Sequence, residues 1–154
     1  MSVSSQSGTD AEMAELARRS YLAYVDKDRA AMEQLVAEDF HFTSPLDNRI
    51  DRKTYFERCW PNSRWIAEFE FIDAVTDKDR VYVTYVGRSD VGRRFQNTEL
   101  LTVRGGKIVE VEVYFGWSLP HPAPPGGMTV RDVFGRVGAR DWDGLRTKFR
   151  SEGV

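Results

Sequence analysis

Cysteine and histidine are scarce in this chain: there is one cysteine, Cys59, and there are two histidines, His41 and His121. A single cysteine excludes an intrachain disulfide, and three such scattered residues match no spaced zinc motif. A reducing, cytoplasmic setting and no metal site are the resulting expectations. Long apolar runs are missing too. Nothing approaches the roughly 18 residues of a membrane span, and the opening stretch Met1–Asp10 lacks the basic end and apolar run of a signal peptide. Charge of one sign is also missing. With 22 Lys+Arg against 24 Asp+Glu the formal net charge is -2, and no basic patch marks the chain for nucleic acid or an anionic membrane.

What is present is enough for a core. Across 154 residues, 41% are hydrophobic and 12% aromatic, which suits one domain better than two. Residues 1–12 read as a disordered tail. From Met13, the positions Leu16, Ala17, Ser20, Tyr21, Tyr24 and Val25 recur with the three-and-four spacing of a helical stripe. Asp28 can cap a second helix that buries Met32, Leu35 and Val36 and ends at Asp39. Phe40 to Ser44 alternates as a short strand, and Pro45 breaks it into a turn over Leu46, Asp47 and Asn48. Asp51 caps a third helix carrying Tyr55, Phe56, Cys59 and Trp60, which stops near Pro61.

Four segments then alternate with period two, at about 67–76, 80–89, 94–104 and 107–117, joined by short polar turns that require antiparallel pairing. In the last of them Val109, Val111, Val113, Phe115 and Trp117 share one face, with Glu110, Glu112 and Tyr114 on the other. In the strand before it Phe95, Asn97, Glu99, Leu101 and Val103 share a face. Helices first and a meander of strands afterwards predict an α+β fold, with a curved antiparallel sheet over three N-terminal helices. Such a sheet leaves a partly apolar open face, including Val86, Leu100 and Tyr114, and that face points to a homodimer.

The segments "DRAAMEQLVAEDFHFTSP" and "GGKIVEVEVYFGW", in this order around a capped third helix, resemble the SnoaL-like branch of the nuclear transport factor 2-like superfamily over about residues 13–117. The resemblance implies a cone-shaped, cystatin-like roll around an apolar pocket. It does not choose among ketosteroid isomerases, polyketide cyclases, dehydratases, epoxide hydrolases and non-catalytic binding domains. By analogy with the isomerases, the position of the aspartate base just before the proline holds Ser44. Their helix-one tyrosine falls at Ser20 or Tyr21, and their pocket carboxylic acid falls at Glu99. The aspartate that epoxide hydrolases often carry after the terminal Tyr-Phe is replaced by Gly116.

Glu99, Tyr21 and His41 are therefore the catalytic candidates. A carboxyl at Glu99 would lose water and have its pKa raised, suiting it to donate a proton; its ordinary reading is a structural acid paired with an arginine such as Arg64. Tyr21, like Tyr24, reads first as core packing. An imidazole can act as a base near neutral pH, but alternation with Phe40 and Phe42 turns His41 away from them. Ser44, Asn97, Trp60, Phe115, Trp117 and Tyr24 are the candidates for binding a small apolar or aromatic ligand. Ser44, Asp47 and Asn48 also read as plain turn chemistry, and Cys59 as a buried small hydrophobe. The expected activity is cofactor-free acid–base chemistry of the isomerase, cyclase, dehydratase or hydrolase kind, and the alternative is a ligand-binding or dimerisation domain.

After Trp117, residues 118–154 read as a Pro/Gly-rich connector and a helical extension. In that extension Phe134, Asp141, Leu145 and Phe149 repeat the pattern of Tyr21, Asp28, Met32 and Val36. The repeat is either a vestige of a second domain or the common look of a capped helical hairpin.

Overall fold

A computed structural model describes residues 3–127 together with Thr129 and Arg131. Its first helix, α1 (Val3–Asp26), starts ten residues before Met13. Residues 3–12, expected as tail, are thus helical, in spite of serines, Thr9 and Gly8, which favour a helix interior less than alanine does. The buried stripe is Met13, Ala17, Ser20, Tyr21 and Ala23, with Leu16 and Tyr24 packed beside it. Asp28 caps α2 (Arg29–Leu35) by accepting from the Ala31 amide at 3.1 Å. The helix stops four residues earlier than the periodicity predicts, because Val36 adopts extended geometry and begins β1 (Val36–Ser44). A β-branched residue such as Val36 sits more readily in a strand than in another helical turn, and the strand it opens is buried at Val36 and Phe40.

The turn expected at residues 46–48 is tighter, over Pro45 and Leu46, and Asp47 opens a strand, β2 (Asp47–Asp51), with Ser44 paired to Asp47. Asp and Asn are poor strand formers, so propensity hides β2, and its position at the sheet edge tolerates them. Asp51 caps α3 (Arg52–Arg58) through the Thr54 amide at 2.9 Å, and a 3-10 helix, Trp60–Trp65, carries Pro61 in its first turn. The remaining strands are β3 (Ile66–Asp77), β4 (Arg80–Ser89), β5 (Arg94–Arg104) and β6 (Lys107–Leu119).

The sheet order is β2-β1-β6-β5-β4-β3. All predicted antiparallel pairs form. One pair, β1 with β6, is parallel, so the sheet is mixed. Two helical segments, α3 and the 3-10 helix, carry the chain from β2 at one edge to β3 at the other, where the meander starts. The row Val83, Glu99, Val113 crosses three strands in register, and with Val81, Tyr85, Leu101 and Ile108 it faces the core. Phe40, Val81 and Ile108 are almost wholly buried, each contributing about 1.5–3 kcal/mol by leaving water.

Two bulges change the face read from β6. Val103 pairs with Ile108 and Thr102 with Glu110, so Val109 is the extra residue and Ile108 takes its place in the core. Gln96 pairs with Trp117 and Asn97 with Phe115, so Gly116 is extra and Trp117 turns to the Gln96 face. A bulge inserts one residue and reverses the alternation beyond it.

The chain divides into a compact unit of residues 1–120 and a second of residues 121–154. In the second, the Gly127 amide donates to the Pro124 carbonyl and the Ala123 amide to His121 Nδ1. Phe134, Asp141, Leu145 and Phe149 lie outside the described residues.

Candidate functional site

Between the helices and the inner sheet face lies a cavity of about 240 Å³. Its walls are mostly apolar, with Met32, Phe40, Phe42, Phe69, Leu101 and Val113 prominent. Glu99 opens into it from the middle of β5. Tyr21 and Tyr24 reach it from α1, Tyr55 from α3 and Tyr85 from β4.

Among the described residues Glu99 has no basic partner. Arg64, its expected structural mate, instead stacks over Trp65 at 4.6 Å. Glu99 keeps some accessible surface, which faces the cavity, yet protein surrounds its carboxyl. Burial pushes its pKa up to about 7, and Tyr21 draws it partly back. The Tyr21 hydroxyl faces this carboxyl at a distance or angle that completes no hydrogen bond, so it is a buried donor without an acceptor. The Tyr55 hydroxyl donates to that of Tyr24 at 2.9 Å. All four phenols are held well above the ordinary tyrosine pKa, by burial first and by nearby Glu99 among the further causes. The phenols therefore keep their protons at neutral pH, where the Glu99 carboxyl is poised to hold or release its own. A carboxylic acid kept neutral in an apolar site can donate a hydrogen bond to an oxygen that gains charge.

The other candidates separate. Phe115 lines the cavity while 54% exposed, which puts it at the mouth. Asn97 lines the wall, but its amide donates to the Tyr85 hydroxyl at 3.4 Å and its carbonyl accepts from the Gly116 amide at 3.1 Å, so it braces the bulge. Three candidates lie outside the cavity lining. His41 pairs with Asp51 and Glu110 on the opposite sheet face. Trp60 is a buried core residue packed edge-on to Tyr24 at 4.9 Å. Trp117 is carried away by the Gly116 bulge. The last correction has a local cause that alternation alone does not contain.

Asp47 is the residue whose position the sequence disguises. Its side chain is only 9% exposed and lines the cavity. Ser44 Oγ donates to Asp47 Oδ2 at 3.1 Å, and the Cys59 thiol approaches the same oxygen at 3.7 Å. Burial, reinforced by Asp47, pushes that thiol up to about 12, so it remains a donor. Arg58 Nη2 lies 2.9 Å from Oδ1 as a charge contact whose angles fall outside hydrogen-bond geometry. The signal for Asp47 was the Ser-Pro-x-Asp spacing, which also encodes an ordinary turn. Among the described residues no three His, Cys, Asp or Glu side chains gather as a metal cage.

The family profile of the SnoaL-like domain matches residues 17–111. The chain belongs to the SnoaL-like domain family. Its fold is that of nuclear transport factor 2-like proteins, a group that contains ketosteroid isomerase-like and polyketide cyclase-like members. A solved LEH-like epoxide hydrolase of M. tuberculosis superposes with a TM-score of 0.61 at 16% identity, covering 70% of this chain and 85% of the other. A protein of Kribbella flavida, provisionally a ketosteroid isomerase, gives 0.63 at 18%, covering 76% and 85%. IdmH of Streptomyces antibioticus, provisionally a polyketide cyclase, gives 0.55 at 22%, covering 66% and 89%. At these identities the likeness is one of fold. A search of curated proteins gave no match. In this SnoaL-like chain the space that an epoxide hydrolase-type aspartate would need at Gly116 is filled: a Cβ there would lie 2.1 Å from the Gln96 carbonyl oxygen.

Proposed function

We propose that the cavity is an active site for cofactor-free acid–base chemistry on a small apolar or aromatic molecule bearing an oxygen, of the isomerase, cyclase, dehydratase or hydrolase class. Glu99 is the proton donor and Tyr21 the second hydrogen-bond donor to that oxygen. Tyr24, backed by Tyr55, supports the same end of the cavity, and Phe115 guards its mouth. The observation that carries this reading is the Glu99 carboxyl in an apolar cavity, with no cation beside it among the described residues and its pKa raised to about 7 by burial. A structural acid would have a partner, because an unpaired buried charge is costly.

NMR titration of the Glu99 carboxyl tests the assignment. A midpoint near neutrality is expected, and one near that of a free glutamate would remove Glu99 from the chemistry. The second reading is a ligand-binding or dimerisation domain. The aromatic outer face of the sheet favours it, with Tyr82, Tyr114 and Trp117 all exposed. A homodimer through that face agrees with either reading. Among the described residues no helix is long and apolar enough to cross a membrane, and with Cys59 its one cysteine the chain suits a reducing cytoplasm.

A further inference from the structure

We infer that the pair Gly87 and Phe95 sets the width of the cavity entrance and so selects flat ligands over thicker ones of the same size. The inference rests on the reading of the cavity as a site for a small, oxygen-bearing apolar molecule, and it names which members of that class enter.

Phe69, Gly87 and Phe95 pair in one row across β3, β4 and β5. The next row inward is Phe71, Tyr85 and Asn97, with Asn97 paired to Phe115 at the mouth, and Glu99 stands one row deeper on β5. Residues of one row, and those two apart along a strand, share a face. The path from the mouth to Glu99 therefore runs past Phe95, which is half-buried and lines the cavity with Phe69 and Phe115.

Gly87 decides where the Phe95 ring rests. A Cβ built on Gly87 would lie 2.3 Å from the ring tip and 2.8 Å from the ring carbons on either side of it. The ring thus lies down on the β4 backbone, in the space that any side chain at position 87 would take. The backbone at Gly87 is not in the left-handed region, so its conformation does not call for glycine. Only the ring does. Glycine inside a strand weakens it and marks a close approach of another group, and β4 is an interior strand of the sheet. The lowered ring is also braced: Tyr85 meets it edge-on at 6.3 Å and is itself packed edge-on against Phe69 at 4.9 Å and Tyr21 at 5.4 Å.

A ring resting on backbone and backed by packed aromatics has no room to retreat, because protein interiors are close-packed. A planar ring system can lie along such a surface and gain aromatic contact. A branched group needs the volume that the Phe95 ring occupies. Size narrows the class further. An apolar cavity of about 150 Å³ takes benzene, and this one measures about 240 Å³, which suits a pair of fused rings. The ligand class is thus a planar two-ring molecule with its oxygen at the inner end.

The probes are 2-naphthol and 3-tert-butylphenol, which match in heavy-atom count and carry one hydroxyl each but differ in thickness. Naphthol binding to the full-length protein is followed by its fluorescence, and the branched phenol by displacement of naphthol. Wild-type protein is expected to prefer 2-naphthol by about tenfold or more. Phe95→Ala should bind 3-tert-butylphenol more tightly than wild type does and erase the preference, with Phe95→Leu in between. Gly87→Ala, which lifts the ring into the entrance, should weaken both phenols and the branched one more. Melting curves identify the variants that fold, and Phe95→Leu decides the matter if Phe95→Ala does not. An unchanged ratio of the two affinities in the Phe95 variants overturns the inference. So does a parallel loss of both phenols, which a ring of purely structural importance would give. Wild-type affinities in Gly87→Ala would show that the ring swings outward, and the inference falls. If neither phenol binds the wild type, the cavity reading fails as well; naphthol binding that is indifferent to positions 87 and 95 removes the inference alone.

Discussion

At the scale of the single residue, Glu99 sets both chemistry and stability. Its carboxyl, lifted from 4.5 to about 7 by burial, is protonated in folded and unfolded chains alike below pH 4.5. Between those values the folded chain binds more protons than the unfolded one, so stability falls as pH rises. Above about pH 7 the whole penalty is present, about 3 kcal/mol for a shift of this size. Glu99→Gln keeps the shape and removes the ionisation. The variant should match wild type in thermal unfolding at pH 4 and exceed it at pH 8, while turnover of a substrate falls by about 10²–10⁴-fold. Equal melting temperatures for both proteins at pH 8 would show that the carboxyl is not desolvated. A second residue-scale expectation concerns the hydroxyl pair. Tyr55→Phe deletes the donor to Tyr24 and should cost about 1 kcal/mol in denaturant unfolding. An unchanged midpoint would mean that water replaces the bond.

At the scale of the element, the β5–β6 pair owes its shape to Gly116. A side chain there would meet the Gln96 carbonyl oxygen at 2.1 Å, and the contact is backbone, which cannot swing aside. Gly116→Ala should therefore strain or slide the bulge, lowering stability by about 1–3 kcal/mol, as overpacking does. It should also disturb the Asn97 bridge between the Gly116 amide and Tyr85, readable as amide shifts along β5. A melting temperature equal to wild type would mean that the strands absorb the methyl by a register change. Gly87 shows the softer case: a Cβ there would lie 2.3 Å from the tip of the Phe95 ring, a side chain that can move. Since Phe95 lines the cavity, Gly87→Ala is expected to narrow the site more than it destabilises the fold.

At the scale of the whole molecule, the helices cover one face of the sheet, and among the described residues no element covers the other. That outer face carries Tyr82, Tyr114 and Trp117, all exposed, around the partly buried Leu100. Burying such a face against a second copy satisfies the usual two-fold arrangement. Light scattering at micromolar concentration should report a dimer, and a monomer would count against the shared face. The family match ends at residue 111, and the first compact unit ends at Pro120. Removing residues 128–154 should thus leave a domain that unfolds cooperatively. A truncated chain with no cooperative transition would show that the extension belongs to the core.

Much of this was legible in the order of residues alone, because periodicity and capping are local. The stripe of α1, the Asp28 and Asp51 caps and the four long strands all follow from side chains interacting with their own neighbours in sequence. Glu99 was legible for the same reason, its face set by strict alternation in an unbroken strand. Three matters were decided only in the folded chain. The parallel pairing of β1 with β6 joins segments far apart in sequence, and no local pattern records it. The bulges at Val109 and Gly116 arise from fitting β6 against β5, and the second of them carries Trp117 off the pocket face. Asp47 reads locally as a turn residue, and it becomes a buried carboxylate only when α3 brings Cys59 and Arg58 against it. Local chemistry thus determines which elements form, whereas the neighbours that set a group's solvation and charge are brought together only by tertiary packing.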